Sequence, residues 1–188
     1  MFREKEILNL VRGKHILDIG SVGQTESYNL WELYKSVEFK SLTGIDLPGV
    51  KTTTEEVFSR KVDDSDSRII FGDMETYEFN RKFDIAVAGD VIEHVNNQGL
   101  FLQNIHRHLE DNGKFVFTTP NAKWPTVFLR PNPTHTVWHD RHTLKRILSM
   151  NGFKISKFDF YRGNKRRYIF PKNLLAWRQA MLVVCEKD

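Results

Sequence analysis

Acidic residues, glycines and histidines in this chain recur where a ligand-binding site would need them. The run His15-Ile16-Leu17-Asp18-Ile19-Gly20-Ser21-Val22-Gly23-Gln24 opens as a short apolar stretch suited to a buried parallel strand, then stops in glycines. Gly20 and Gly23 lack a Cβ, so the backbone there can turn sharply and approach a ligand, while the following helix keeps its first N–H groups free to donate. Asp18, near the carboxyl end of the strand, is expected to point into the crevice where open α/β sheets bind ligands. Asp46 and Asp73 end two further short runs, Leu42 to Ile45 and Arg68 to Phe71. A carboxylate at the end of the second strand can accept from both hydroxyls of a ribose, and one after the third can accept from the amine of an adenine. Asp90, Glu93 and His94 follow a fourth run, Phe83 to Ala88, and His135 lies on a long loop after a fifth, Lys114 to Thr118. A histidine just past the fourth strand is placed to take a proton near neutral pH.

The elements that must position these residues alternate. Phe2 to Val11 has helical apolar spacing and is closed by Gly13. A helix capped by Thr25 is expected to bury Leu30, Leu33, Tyr34 and Val37. Lys51 to Asp66 is polar and ambiguous. Leu100 to Leu109 reads as a helix whose Phe101, Leu102 and Ile105 enter the core, and Asp111-Asn112-Gly113 as a turn into the fifth strand. A helix around Leu144, Ile147 and Leu148 ends at Asn151-Gly152, and Phe153 to Phe160 alternates as a strand with a bulge near Lys157-Phe158. Strands alternating with helices predict a parallel, doubly wound sheet.

Composition narrows the class. The 188 residues suffice for one well-buried domain. A net charge of +4 is too mild to demand nucleic acid. The single cysteine, Cys185, excludes an intramolecular disulfide. The N-terminus is charged and unlike a signal peptide, and no apolar run approaches membrane-spanning length, so a cytoplasmic protein is expected.

Both NAD and S-adenosylmethionine carry a ribose that Asp46 could hold. NAD calls for three glycines under its pyrophosphate, whereas this turn offers two, with Asp18 poised to repel an anion. A sulfonium cofactor with a cationic amino group suits an acid there. The ordered set Leu17-Asp18-Ile19-Gly20, Gly44-Ile45-Asp46, Gly72-Asp73, Phe83-Asp84-Ile85, Val91-Ile92-Glu93-His94-Val95, Gly113 and Thr119-Pro120-Asn121 resembles the class I S-adenosylmethionine-dependent methyltransferases. It is most similar to a bacterial and archaeal branch common in surface-polysaccharide and glycan biosynthesis, which shares the stretch His135 to Leu144. The resemblance covers residues 14 to about 160. It departs at the turn, where the common G-x-G-x-G has Val22 and Gln24 at its second and third glycine positions.

The resemblance implies an α/β, Rossmann-like, doubly wound and mostly parallel seven-stranded sheet in a single domain over residues 1–188, with an antiparallel last strand at Met181 to Glu186. S-adenosyl-L-methionine is accordingly expected against Asp18, Gly20, Ser21, Gly23, Asp46, Leu47, Asp73, Met74, Gly89 and Asp90. His94 and His135 are the expected catalytic pair, His94 nearest the methyl group. The expected activity is O-methylation of a sugar or other small polar acceptor, with nitrogen as the lesser alternative. A stretch with Arg162, Lys165, Arg166, Arg167, Lys172 and Arg178 and no acid reads as a solvated loop or as a contact to a phosphate-bearing acceptor. Two rivals stay open. Asp90, Glu93, His94 and His135 resemble the metal-holding set of small-RNA 2′-O-methyltransferases, although a divalent metal is not expected and nucleic acid is not favoured. A non-catalytic binding protein on the same scaffold is the other. The blander readings are strand-end turn formers for Asp46 and Asp73, a helix first turn for Asp90 and Glu93, and a packed histidine for His94.

Overall fold

The computed structural model describes residues 2–22, 33–49, 67–161 and 179–188. In chain order it contains α1 (Phe2–Val11), β1 (His15–Ile19), β2 (Ser41–Asp46), β3 (Ser67–Phe71), β4 (Phe83–Gly89), α2 (Gln98–His108), β5 (Leu109–Pro120), α3 (Pro125–Leu129), α4 (Arg141–Met150), β6 (Phe153–Tyr161) and β7 (Ala180–Lys187). The strands form one seven-stranded sheet in the order β3-β2-β1-β4-β5-β7-β6. β1 pairs in parallel with β2 and β4, as do β2 with β3 and β4 with β5; β7 runs antiparallel to both β5 and β6. This is the expected mixed sheet. The chain builds outward from β1 to β3 and then resumes at β4 on β1's other side. That reversal opens a crevice beyond the carboxyl ends of β1 and β4.

Period-two alternation sorts the core onto two faces. Ile16, Ile85, Val87, Val116, Leu182 and Val184 pack with Ile7 and Val11 of α1. Leu17, Ala86, Ala88, Phe115 and Phe117 pack on the other face with Phe101, Leu102 and Ile105 of α2 and Leu144 and Leu148 of α4. The three α2 residues are buried as expected, each worth about 1.5–3 kcal/mol of transfer free energy. The same parity corrects Asp18: it shares the face of Ile16, is fully buried, and accepts the Tyr34 hydroxyl at 3.3 Å instead of facing the crevice.

Local chemistry sets the element ends. Asp140 caps α4, accepting from the N–H groups of His142 and Thr143, and Gly152 closes it at φ +78. In β5, Leu109 pairs with Phe83 and Lys114 with Ile85. Asp111-Asn112-Gly113 is therefore an excursion within the fifth strand and not its preface. A Cβ on Gly113 would stand 2.8 Å from the Glu110 carbonyl oxygen. In β6, Ile155 pairs with Cys185 and Lys157 with Val184, leaving Ser156 as the extra residue of the expected bulge. The helix expected from Thr25, the stretch Lys51 to Asp66 and the basic segment 162–178 lie outside the described residues, apart from residues 33–37 at the end of that helix. There Tyr34 is buried with Leu33 and Val37 against it.

Candidate active site

A cavity of about 510 Å³ occupies the crevice, within the size range of small-molecule sites. Gly20 forms one wall at φ +73, a left-handed conformation that favours glycine, and its N–H donates to the Ile45 carbonyl at 2.9 Å. A Cβ at Gly20 would come within 2.6 Å of Val91 Cγ2, so that wall admits no side chain. Asp46 closes the turn: the Val22 N–H donates to its Oδ2 at 2.7 Å and the Leu47 N–H to its Oδ1 at 2.8 Å. Asp73 Oδ1 accepts the Glu75 N–H at 2.9 Å. Glu75 Oε1 in turn accepts from Asn96 and Asn97, tying the end of β3 to the segment after β4. Leu47, Met74 and Gly89 also line the cavity.

Asp90 stands where β4 ends, with φ 55. The left-handed region is costly for most side chains and tolerated by Asp. Arg3 Nη1 donates to its Oδ2 at 2.8 Å, the Thr118 hydroxyl donates to its Oδ1 at 3.0 Å, and its own N–H is 3.1 Å from both the Thr118 carbonyl and hydroxyl oxygens. Arg3 is 5% exposed, so α1 delivers a buried guanidinium to the carboxyl ends of β4 and β5.

The two predicted histidines meet. Their ring centroids are 4.7 Å apart in an edge-to-face contact of 87°. Hydrogen bonds between two chain segments bring them together: the Thr136 N–H donates to the Glu93 carbonyl at 2.8 Å, and the Thr136 hydroxyl lies 2.7 Å from the Val95 carbonyl oxygen. His94 Nδ1 is 3.0 Å from the Thr134 carbonyl oxygen. A carbonyl accepts only, so Nδ1 carries the proton and Nε2 of the neutral ring keeps its lone pair. Burial, then the neighbouring His94, lowers the His135 pKa, with Asp90 opposing. His94 lines the first cavity, and His135 lines a second of about 450 Å³; Arg3 and Asp90 line both.

Glu93 lies behind this pair, 1% exposed, with both carboxylate oxygens buried and without a hydrogen-bond partner among the described residues. Burial, then the Asp90 charge, pushes its pKa up to about 8. The nearby Thr119 pulls the other way, though its hydroxyl is not in hydrogen-bond geometry with either oxygen. Glu93, His94 and His135 each offer a ligand atom within 4.8 Å of the others. Asp90, the fourth member of the predicted metal set, is outside that group and is engaged by Arg3 and Thr118.

The sequence profile of a methyltransferase-domain family matches residues 3–157. The chain belongs to that family. No curated protein matches. Among solved structures, this methyltransferase is similar to one from Bacillus halodurans at 15% identity and a TM-score of 0.73, covering 99% of this chain and 97% of that one. It is similar to a chain in the complex between the Haloferax volcanii Trm112 methyltransferase activator and a methyltransferase, at 13% identity and a TM-score of 0.73, covering 98% and 88%. It is also similar to the N-methyltransferase NodS of Bradyrhizobium japonicum in complex with S-adenosyl-L-homocysteine, at 16% identity and a TM-score of 0.69, covering 99% and 86%. These likenesses are of fold.

Of the predicted residues, the crevice of the methyltransferase gathers Gly20, Asp46, Leu47, Asp73, Met74, Gly89, Asp90 and His94. Asp18 and Ser21 are buried and do not line it, and Gly23 falls outside the described residues. Sequence reasoning missed Arg3 and Thr118. Arg3 sits in the first turn of a helix with ordinary amphipathic spacing, and no local signal marks a side chain that acts 87 residues away.

Proposed function

We propose that this methyltransferase transfers the methyl group of S-adenosylmethionine to a hydroxyl oxygen of a sugar or other small polar acceptor. The observation that carries this reading is the His94–His135 contact at the junction of two cavities, one bordered by the glycine turn and by two strand-end acids. The first cavity suits the cofactor: a glycine wall that a Cβ would fill, and two carboxylates in register with it. The Asp46 carboxylate, set at the cavity wall with the Val22 and Leu47 N–H groups donating to it, is the acceptor for the ribose hydroxyls. Asp73 Oδ2 is the acceptor for the adenine amine. Bound S-adenosylmethionine supplies an electrophilic methyl group on a sulfonium centre. As the new O–C bond forms and the C–S bond breaks, His94 Nε2 takes the acceptor's proton while His135 orients the acceptor. The resemblance of NodS, an N-methyltransferase, keeps a nitrogen acceptor as the alternative. Calorimetry tests the cofactor: S-adenosylhomocysteine binds and NAD does not. NAD binding in its place overturns the reading.

A second reading rests on the orphaned Glu93 carboxylate. With His94 and His135 it makes a two-nitrogen, one-oxygen set suited to Mn or Zn, as in a metal-dependent RNA 2′-O-methyltransferase. Titration with Mn²⁺ and Zn²⁺ separates the two, since the first reading needs no metal.

A further inference from the structure

The second cavity is not absorbed by the cofactor. It opens beside the first and shares its Arg3–Asp90 wall, so a molecule seated there abuts whatever fills the crevice. His135 faces this cavity while its ring touches His94, which faces the other. Any hydroxyl presented between the two rings lies at the boundary that the methyl group must cross.

Among the described residues, the lining has one sign of charge left over. Arg3 and Asp90 neutralise each other at 2.8 Å, and Arg130 is the remaining charged residue of the described lining. Arg130 is exposed and pairs with no acid among the described residues. Beside it, Asn132 accepts from Thr134 through Oδ1, so its Nδ2 is left to donate. Gln179, at the start of the chain's return to β7, adds an amide. A guanidinium and two amides thus line one cavity, and a guanidinium is the group that planar, bidentate anion recognition uses.

We infer that the second cavity receives the methyl acceptor and that Arg130 anchors a phosphate group on it, with the acceptor hydroxyl at the His94–His135 pair. This rests on the methyl-transfer reading. It commits the acceptor to a small hydroxylated phosphate ester, such as a sugar phosphate or a nucleotide-linked sugar, and separates two jobs: Arg130 holds the charge and the histidines hold the reacting oxygen.

The test is calorimetry on the full chain saturated with S-adenosylhomocysteine. Glucose 1-phosphate and uridine diphosphate glucose serve as phosphate-bearing probes, glucose as the uncharged control and inorganic phosphate as the ion alone. At least one phosphate-bearing probe binds, glucose does not, and inorganic phosphate binds more weakly than the ester. Arg130→Gln weakens the ester by about tenfold or more, the loss expected for one charged hydrogen bond, and leaves S-adenosylhomocysteine affinity unchanged. No binding by either ester while S-adenosylhomocysteine binds normally overturns the inference. So does ester binding that is indifferent to Arg130→Gln or matched by glucose. If the esters bind through Arg130 but S-adenosylhomocysteine does not bind, this anion site stands and the methyl-transfer reading falls.

Discussion

His94 offers one usable nitrogen, because the Thr134 carbonyl holds the other at 3.0 Å. His94→Ala is therefore expected to lower kcat by about 10²–10⁴-fold, the usual cost of losing a general base, while cofactor affinity stays near wild type. A variant with normal turnover, or one that loses the cofactor, makes this histidine structural. Asp46→Ala strips a charged acceptor from the ribose site and is expected to weaken S-adenosylhomocysteine by about 1.5–3 kcal/mol per lost hydrogen bond. Calorimetry reads this directly, and an unchanged affinity removes Asp46 from the cofactor site. Glu93 yields a stability prediction. Its folded pKa of about 8 lies above the ordinary 4.5, so the folded state binds the extra proton between those values. Stability from this group is complete below about pH 4.5 and is lost as pH rises through about 8, by as much as roughly 5 kcal/mol over the window. Glu93→Gln, permanently neutral, should flatten the fall in Tm between pH 5 and 8; an equally steep fall in the variant shows that another group causes it.

At the scale of elements, the site depends on two backbone segments docking and on one turn staying bare. The segment carrying His135 is held to the one carrying Glu93 and His94 by Thr136, through its N–H and its hydroxyl. Thr136→Val keeps the shape and removes the hydroxyl, which costs about 1 kcal/mol or somewhat more, since carbonyls are left short of a donor. Turnover should fall with cofactor affinity unchanged. If kcat is untouched, the docking does not govern the histidine pair. The turn is less forgiving. Gly20→Ala puts a Cβ into left-handed backbone and against Val91 Cγ2, and is expected to cost about 1–3 kcal/mol. Thermal denaturation and cofactor calorimetry should both register it. The two strand irregularities show what element-level patterning captures. The bulge in β6 was legible because Phe153 to Phe160 breaks its own alternation, and the structure assigns the extra residue to Ser156. The excursion at Asp111-Asn112-Gly113 was legible as a turn, but not as one inside the strand, because the Leu109–Phe83 pairing before it is set by a neighbouring strand.

At the scale of the whole molecule, the order of strands is what creates a site. β1 and β4 become neighbours although 63 residues separate Ile19 from Phe83, and the acids at the strand ends converge only because the parallel strands point the same way. Sequence alone determined much of this. Apolar runs ending in acids or glycines gave β1, β2 and β4 and the position of the crevice, since both hydrophobic periodicity and turn chemistry are properties of a few adjacent residues. The ordered motifs gave the family for the same reason. What the tertiary structure decided are meetings between distant side chains. It buried Asp18 on the face of Ile16, next to Tyr34, because the parity of β1 sends its side chain to the α1 face. It brought Arg3 to Asp90 and set His135 against His94. It also detached Asp90 from the Glu93, His94 and His135 group that a metal would use. Local pattern fixes which element a residue occupies and which way it faces, whereas the partner it meets depends on how crossovers and helices pack over the sheet, which no neighbouring residue in the chain records.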